Sequence, residues 1–210
     1  MKTQIFSINQ LTDEQVAQVA DAVQRGAVVA LATDTVYGLA ANAFDETAVQ
    51  RIYRLKQRPA GMPLQLLVSS AAAVQQVAKW DARADKLAKA YWPGALTLIL
   101  PPNEKGQALR RGFAGLGLRV PNHPGLLHLL EKLSAPLACT SANVHGRPVI
   151  TTEQDLLAFC EGKVDFILTD GTLSPVASSV VDLTARPAVL LREGALTRRT
   201  LETVLQERLK

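Results

Sequence analysis

The sequence predicts an α/β fold with a twisted, mixed β-sheet, and three observations support this prediction. The chain has 210 residues, a length that fits one domain over residues 1–210. Hydrophobic residues make up 48% of the chain, which is typical of a packed globular protein and unlike a disordered one. Short apolar runs alternate with segments of helical periodicity, although not strictly, and this favours a mixed sheet over a purely parallel one.

The N-terminal elements follow from local signals. Thr12 and Gln15 have the spacing of a capping box, so the first helix begins directly after Thr12. Apolar residues recur at helical spacing as far as Gly26, a residue type that often ends helices in a left-handed conformation. The valine-rich run 27–32 then predicts a buried strand, and the polar segment 33–35 predicts a turn.

Turn residues, caps and apolar runs place the other elements. Asp45 can cap a second helix, which ends near Pro59 because the residue before a proline disfavours helical geometry. Further strands are expected at 64–68, 95–100, 116–120, 136–140, 165–168, 179–183 and 188–191. Further helices are expected at 70–79, 82–91 and 124–133, from Thr152 to residue 159, and from Thr197 onward. The polar, basic stretch 101–115 predicts a mobile loop.

The charge of the chain is moderately positive. Lys and Arg number 23 against 19 for Asp and Glu, which gives a formal net charge of +4. This excess fits an anionic ligand such as a nucleotide, or a nucleic-acid partner. Charge alone leaves equally open a basic protein that binds nothing acidic.

Cysteine usage and hydropathy indicate the compartment. Cys139 and Cys160 form neither a disulfide framework nor a metal-binding spacing, which favours a reducing environment. The N-terminus has no apolar signal core, and no segment approaches the ~18 continuous apolar residues of a membrane span. We therefore expect a cytoplasmic protein with no membrane partner.

Several familiar catalytic and nucleotide-binding patterns are absent from the sequence. It contains neither G-x-G-x-x-G after the first strand nor G-x-x-x-x-G-K-[ST], so a nucleotide site would be built in another way. His123, His128 and His145 form no zinc pattern, and we interpret them as structural or surface residues. No metal ligands are predicted. The expected chemistry is binding, orientation and charge stabilisation.

Three polar segments follow or precede expected strands, where α/β proteins tend to place ligand sites. Segment 33–39 begins with a hydroxyl-rich turn that can donate to a ligand, or can be an ordinary Asx or ST turn. Segment 140–143 can cradle phosphate through backbone N–H groups, or can be a locally capped β-turn. Ser178 precedes a strand, while Arg119 and Arg192 each follow one.

A fourth segment is a cluster of cations with no acid among them. Its members within eight residues are Arg51, Arg54, Lys56 and Arg58. Arg54 and Arg58 share a face if the helix extends that far, and like charges there repel one another unless an anion neutralises them. Arginine forks and lysine point charges both suit phosphate. The alternative is a solvated basic face.

Five motifs in order resemble the YrdC-type family of L-threonylcarbamoyladenylate synthases. The motifs are Thr33-Asp34-Thr35-Val36-Tyr37-Gly38-Leu39, Lys56-Gln57-Arg58-Pro59, Ser141-Ala142-Asn143 with Gly146-Arg147-Pro148, Ser178-Ser179-Val180-Val181-Asp182-Leu183, and Leu191-Arg192-Glu193-Gly194. The match extends from about residue 10 to 200. The chain is similar to the short form of the family, and it departs from some longer relatives at Met62 and Leu67, where those relatives have Asn and His.

The resemblance implies a fold, a reaction and a set of site residues. The fold is a twisted α/β sheet with flanking helices that enclose a basic cavity. The reaction joins L-threonine, bicarbonate and ATP into threonylcarbamoyl-AMP and pyrophosphate, and partner proteins then modify tRNA beside the anticodon. Threonine contacts are implied for Thr35, Arg119, Thr140 and Ser178. ATP contacts are implied for Lys56, Arg58, Ser141, Asn143 and Arg192, of which Lys56 and Arg58 are the expected catalytic residues.

The expected mechanism uses convergent cations in place of a protein nucleophile. The carbamate of threonine attacks the α-phosphate of ATP, and Lys56, Arg58 and Arg192 stabilise the developing charge. A Mg²⁺ held mainly by the phosphates is expected, with no organic cofactor. Two alternatives stay open at this point: an RNA-binding module without catalysis, and a family sibling that handles another carbamoyl-type adenylate.

Overall fold

Ten strands form one mixed sheet in the computed structural model, which describes residues 2–59 and 61–210. The strands are β1 (Gln4–Ser7), β2 (Val29–Leu31), β3 (Gly38–Asn42), β4 (Gln65–Leu67), β5 (Leu96–Leu100), β6 (Leu116–Arg119), β7 (Leu137–Ser141), β8 (Phe166–Thr169), β9 (Ser179–Asp182) and β10 (Val189–Arg192). Their order across the sheet is β1-β8-β2-β3-β7-β4-β6-β5-β9-β10. Four neighbouring pairs are parallel and five are antiparallel. The predicted mixed α/β sheet is confirmed.

Seven α-helices accompany the sheet in the described part of the chain. They are α1 (Asp13–Gln24), α2 (Glu46–Lys56), α3 (Ala71–Gln75), α4 (Ala82–Tyr91), α5 (Pro124–Glu131), α6 (Glu153–Cys160) and α7 (Arg198–Leu205), and two 3₁₀ helices span Ile8–Gln10 and Lys105–Leu109. None of the described helices is long and apolar enough to cross a membrane.

Two hydrophobic clusters hold the helices against the sheet. The first includes buried residues of α1, α5 and α6 together with β2, β3 and β8. The second includes buried residues of α4 and α7 together with β5, β6 and β9. The residues of β2 and β8 are buried throughout, as expected for central strands that are covered by other elements on both faces.

Local capping signals were reliable predictors of helix starts. Thr12 accepts a hydrogen bond from the Gln15 amide at 3.2 Å, and Gln15 Oε1 accepts one from the Thr12 amide at 3.0 Å, which confirms the capping box. Asp45, Thr152 and Thr197 also cap the helices predicted to begin there. Each of these signals acts within one helical turn and is therefore visible in the sequence.

Two strands were not predicted. β1 is four residues long and pairs in parallel with β8, more than 150 residues away. β3 consists largely of glycine and alanine, which have low strand propensity, yet it pairs with both β2 and β7. Sheet pairing across the fold determines both strands, and neither has a clear local signal.

Two helix predictions are corrected. The helix expected at 70–79 is shorter, Ala71–Gln75. In α2 the helix ends at Lys56, because Gln57 adopts a left-handed conformation with φ 49°. Arg58 therefore lies outside the helix, so the condition for a face shared by Arg54 and Arg58 is not met.

The stretch 101–115, expected as a mobile loop, contains the 3₁₀ helix Lys105–Leu109 and is hydrogen-bonded at its base. The Asn103 amide donates to Val77 O at 3.1 Å, and the Asn103 side chain donates to Gln75 O at 3.0 Å. Gly106 packs so closely that a Cβ atom there would lie 1.8 Å from Val77 O. Glycine is the residue type that permits this approach.

We expect Gly106→Ala to lower the free energy of unfolding by about 1–3 kcal/mol, because the added methyl group forces the backbone apart. Urea unfolding measures this change. Gly117→Ala is the matched control, since its Cβ would meet its nearest neighbour at an ordinary 3.5 Å. Equal stability of the two variants would contradict the close packing of Gly106.

Candidate active site

Lys56 joins the end of α2 to the turn that follows β7. Its side chain is 1% exposed, and its ammonium donates to Ser141 O, to Asn143 O at 2.8 Å and to Asn143 Oδ1 at 2.8 Å. A lysine ammonium has three N–H donors, so all of them are engaged by the protein. Lys56 thereby fixes the turn 141–143, which lies 85 or more residues further along the chain.

The charge of Lys56 is destabilised by its surroundings. Burial, and to a smaller extent the nearby positive charge of Arg58, lower the pKa of the ammonium from its usual 10.5 to about 8. No described carboxylate lies within 4.0 Å of Lys56, so its positive charge is balanced only by backbone and amide dipoles.

The turn 141–143 is also held by its own side chains. Ser141 Oγ donates to Asn143 Oδ1 at 2.6 Å, and the Asn143 amide group donates to Arg147 O at 2.7 Å. The backbone N–H of Ala142 donates to Tyr37 O at 2.7 Å. The local capping considered from the sequence is therefore present, and it makes this turn a fixed platform. The Arg147 side chain is exposed.

A second cluster forms where the turn after β2 meets the end of β6. Arg119, 3% exposed, donates from Nη1 to Thr35 Oγ1 at 3.1 Å and from Nη2 to Asp34 Oδ1 at 2.6 Å. Its Nε donates to Gly94 O at 2.9 Å. Thr33 closes an ST turn, because its hydroxyl oxygen accepts the amide N–H of Thr35 at 3.1 Å. Asp34 was not among the predicted site residues, although it lies in the motif that spans residues 33–39.

A third cluster is a chain of hydrogen bonds that starts at Arg192. Arg192 donates from Nε to Ser178 O at 2.8 Å and from Nη2 to Ser178 Oγ at 3.0 Å. Ser178 Oγ lies 3.0 Å from Thr97 Oγ1, which donates to Gln65 Oε1 at 3.0 Å. The Thr97 hydroxyl has one proton and gives it to Gln65, so Ser178 is the donor to Thr97. Sequence reasoning missed Thr97 and Gln65, which lie inside strands without any motif.

Arg58 lies beside the end of β7, and one of its N–H donors has no hydrogen-bond acceptor among the described residues. Nη2 donates to Pro63 O at 3.0 Å, while Nη1 is 3.5 Å from Thr140 Oγ1. The Nε atom is buried and has no hydrogen-bond partner among the described residues. Burial lowers the pKa of the Arg58 guanidinium from its ordinary value. A buried N–H without a partner is costly unless a ligand accepts from it.

Sheet pairing brings the three clusters into one site. Gln65 is paired in register with Cys139, the neighbour of Thr140. Burial raises the pKa of the Cys139 thiol to about 12, while the positive charges of Arg119 and Lys56 both act to lower it. Cys139 therefore lies within electrostatic range of both cations. Seven of the nine predicted site residues lie in these three clusters, and the other two, Arg58 and Thr140, lie together at the end of β7.

Two members of the predicted cation cluster lie elsewhere. Arg51 forms an ion pair with Asp165 at 3.0 Å, and Arg54 is exposed on α2 with Nε 3.4 Å from Gln50 O. Only Lys56 and Arg58 of that cluster face the site. Arg51, Arg54 and Lys56 all lie on α2, and at roughly 100° per residue the side chain of Lys56 leaves the helix about 160° from that of Arg54 and about 140° from that of Arg51.

The cations of the site differ in whether a carboxylate neutralises their charge. Arg119 is paired with Asp34 at 2.6 Å, whereas Lys56, Arg58 and Arg192 have no carboxylate within 4.0 Å in the described part of the chain. Burial and the charge of Arg119 both lower the pKa of Arg192. Buried charge without a partner is unfavourable, so an anion bound here would stabilise all three groups.

His123 and the two cysteines have structural surroundings. His123 caps α5, since its Nδ1 accepts the Leu126 amide N–H at 3.3 Å, and its Nε2 lies 3.1 Å from Asp170. Cys139 and Cys160 are buried free thiols. Among residues 2–59 and 61–210, no group of three or more His, Cys, Asp or Glu side chains could hold a metal ion.

Comparison with known proteins gives consistent results. Residues 21–194 match the Sua5_yciO_yrdC family, described as telomere recombination. The chain is 38% identical to a threonylcarbamoyl-AMP synthase of Pyrococcus abyssi, with 98% of this chain and 62% of the relative covered. It is 36% identical to a threonylcarbamoyl-AMP synthase of Bacillus subtilis, with 92% and 57% covered. The chain thus spans about three fifths of the length of these relatives.

A solved structure agrees with the sequence relatives. The crystal structure of Pyrococcus abyssi Sua5 complexed with L-threonine has a TM-score of 0.90 and 37% identity to this chain. The match covers 99% of this chain and 63% of that chain. These findings confirm the resemblance inferred from the motifs, and the chain belongs to the Sua5/YciO/YrdC family.

Proposed function

We propose that the chain is an L-threonylcarbamoyl-AMP synthase. It would combine L-threonine, bicarbonate and ATP into threonylcarbamoyl-AMP and pyrophosphate. The observation that carries this proposal is the charge pattern of the site, where Lys56, Arg58 and Arg192 lack carboxylate partners. A triphosphate supplies the missing negative charge, and arginine forks suit its oxygens.

The names of the relatives support the same substrates. Those from Pyrococcus abyssi and Bacillus subtilis are threonylcarbamoyl-AMP synthases, and the Pyrococcus abyssi Sua5 structure contains L-threonine. For this chain we propose threonine contacts from Thr35, Arg119, Thr140 and Ser178. We propose ATP contacts from Arg58, Ser141, Asn143 and Arg192. Lys56 would act at the ATP end by holding the turn 141–143, since its three donors already bind that turn.

The proposed chemistry proceeds in two steps. The threonine amine attacks bicarbonate, and loss of water gives a carbamate. A carbamate oxygen then attacks the α-phosphorus of ATP, and the bond to the β-phosphate oxygen breaks to release pyrophosphate. Arg58 and Arg192 would stabilise the charge that develops on the phosphate oxygens. Holding the reactants together contributes up to about 7–11 kcal/mol to lowering such a barrier.

No protein nucleophile is needed in this scheme. The Cys139 thiol is buried, and its raised pKa of about 12 keeps it protonated at neutral pH. Asp34, the carboxylate closest to the cations, is occupied by Arg119. The polar groups of the site are mostly hydroxyls and carbonyls, so Mg²⁺ would be held mainly through the ATP phosphates, whose charge it would neutralise. We propose no organic cofactor.

We propose that the reaction takes place in the cytoplasm and serves tRNA modification. Partner proteins would transfer the threonylcarbamoyl group to the adenosine beside the anticodon. A net charge of +4 is compatible with a tRNA partner. The buried free thiols Cys139 and Cys160 suit a reducing compartment.

Pyrophosphate release tests the proposal directly. The purified chain is incubated with ATP, Mg²⁺ and bicarbonate, with and without L-threonine, and the threonylcarbamoyl-AMP product is identified by mass spectrometry. We expect release that depends on threonine and exceeds release with serine or valine. RNA binding without any release would favour the RNA-binding module. Release with another carbamoyl donor but not with threonine would favour the family sibling.

The activity is expected to fall as pH rises through about 8. Below this value Lys56 is charged and bonds all three acceptors of the turn 141–143; above it the neutral amine has only two donors. The pH profile of kcat measures this loss. Stability changes in the opposite direction. Between about pH 8 and 10.5 the unfolded chain keeps a proton on Lys56 that the folded chain has lost, so the contribution of Lys56 to the free energy of unfolding rises with pH. A flat kcat between pH 7 and 9.5 would contradict this role.

A further inference from the structure

Asp34 is held in place by its neighbours on both sides. The Thr33 hydroxyl oxygen accepts hydrogen bonds from the amide N–H groups of Thr35 at 3.1 Å and Val36 at 3.2 Å. The same hydroxyl donates to Val36 O at 2.7 Å. The Thr35 hydroxyl lies 2.9 Å from the Thr33 hydroxyl, and its oxygen accepts a hydrogen bond from Arg119. The turn therefore presents the Asp34 carboxylate in one defined position.

The ion pair between Asp34 and Arg119 is shielded from water. The side chains are 12% and 4% exposed, and the N–O distance of 2.6 Å is short for a charged hydrogen bond. A guanidinium has five N–H donors, and Arg119 uses three of them for Asp34, Thr35 and Gly94. Two donors are left for a ligand, and their direction is set by the partners of the other three.

The pairing also divides the charge of the site. Arg119 is the only one of the four site cations with a described carboxylate within 4.0 Å. The pair formed by Asp34 and Arg119 thus has no formal net charge, whereas Arg58 and Arg192 are uncompensated cations. A zwitterionic amino acid suits the pair and a triphosphate suits the two cations.

We propose that Asp34 is a positioning residue that orients Arg119 and neutralises its charge, and so makes this end of the site selective for a zwitterionic amino acid over a small anion. The inference rests on the proposed function. It assigns to Asp34 two separable effects: the direction of the Arg119 donors, and the absence of net charge around them.

Two variants separate these effects in steady-state kinetics. Asp34→Asn keeps the shape but removes the charge, and we expect the threonine KM to rise about 10–100-fold, as for loss of a charged hydrogen bond, while the ATP KM changes less than about twofold. Sulfate should become a competitive inhibitor against threonine in this variant. Asp34→Glu keeps the charge but shifts the guanidinium, so the threonine KM should rise without sulfate competition.

Asp165→Asn is the matched control, because Asp165 forms a similar ion pair with Arg51 outside the site. We expect a loss of stability there without a change in the threonine KM. Equal threonine KM values in Asp34→Asn and the unmodified chain, or equal increases in the KM values of threonine and ATP, would overturn the inference. If Asp34→Asn does not fold, Asp34→Glu serves as the test instead. An unchanged threonine KM in Asp34→Glu would then overturn the inference.

Calorimetric titration with L-threonine alone distinguishes failure of the inference from failure of the proposed function. An unmodified chain that binds threonine but releases no pyrophosphate contradicts the proposed function only. Asp34→Asn binding threonine as tightly as the unmodified chain, while the latter shows turnover, contradicts the inference only. Absence of threonine binding by the unmodified chain contradicts both.

Discussion

Replacement of Lys56 by methionine is expected to reduce threonine-dependent pyrophosphate release at least about 100-fold, because a misplaced site loses this much activity. Methionine fills similar space but cannot donate, so Ser141 O, Asn143 O and Asn143 Oδ1 lose their shared partner. Orphaned buried acceptors should also lower the free energy of unfolding by about 1–3 kcal/mol, even though burying an ammonium is itself unfavourable. Steady-state kinetics and urea unfolding measure the two effects.

Lys89→Met is the matched control for this change. Lys89 is exposed and forms an ion pair with Asp85, four residues before it on α4. Such surface pairs contribute about 0.3–0.5 kcal/mol, so this variant should keep its activity and nearly all its stability. If Lys56→Met retained full activity, the turn 141–143 would not depend on the ammonium, and our assignment of Lys56 would be wrong.

Arg58→Ala is expected to separate activity from stability. The guanidinium is partly buried, lacks a carboxylate partner and has an Nε without a hydrogen-bond partner among the described residues. Its removal relieves repulsion with Lys56, which offsets the lost contact with Pro63 O. We expect unfolding free energy within about 1 kcal/mol of the unmodified chain, and kcat lower by about 10²–10³ as for loss of a transition-state donor.

Arg54→Ala provides the comparison for Arg58→Ala. Arg54 precedes Arg58 by four residues and is exposed on α2, outside the site. Kinetics and chemical unfolding of both variants at one ionic strength should show loss of activity only for Arg58→Ala. Comparable activities in the two variants would mean that charge near α2, and not the placement of Arg58, determines turnover.

The sequence and the structure agree best where the signal is local. The capping box at Thr12, the cap at Asp45 and the helix Ala82–Tyr91 were all predictable, because each depends on residues within a few positions. The motif residues Lys56, Ser141 and Asn143 were predicted as one site, and the structure brings them within hydrogen-bonding distance. Their assigned roles in the reaction stay predictions.

The prediction was weaker where contacts connect distant parts of the chain. Strand β1 depends on pairing with β8, and Gln65 and Thr97 have no motif that marks them as site residues. The cation cluster 51–58 was interpreted as a phosphate site or a solvated basic face, and in the structure Arg51 pairs with Asp165 while Arg54 lies near Gln50 O. The left-handed conformation of Gln57 takes Arg58 off the helix that carries the other three cations.

The sequence alone determined the α/β class, most helix starts and the family, because caps, periodicity and ordered motifs are written in neighbouring residues. Only the tertiary structure decided which polar groups meet and which charges are compensated. Arg119 reaches Asp34 across 85 positions, and Lys56 reaches Ser141 across 85. Such contacts depend on the order of strands in the sheet, and the energy of a buried charge depends on whether a partner lies beside it in the folded chain.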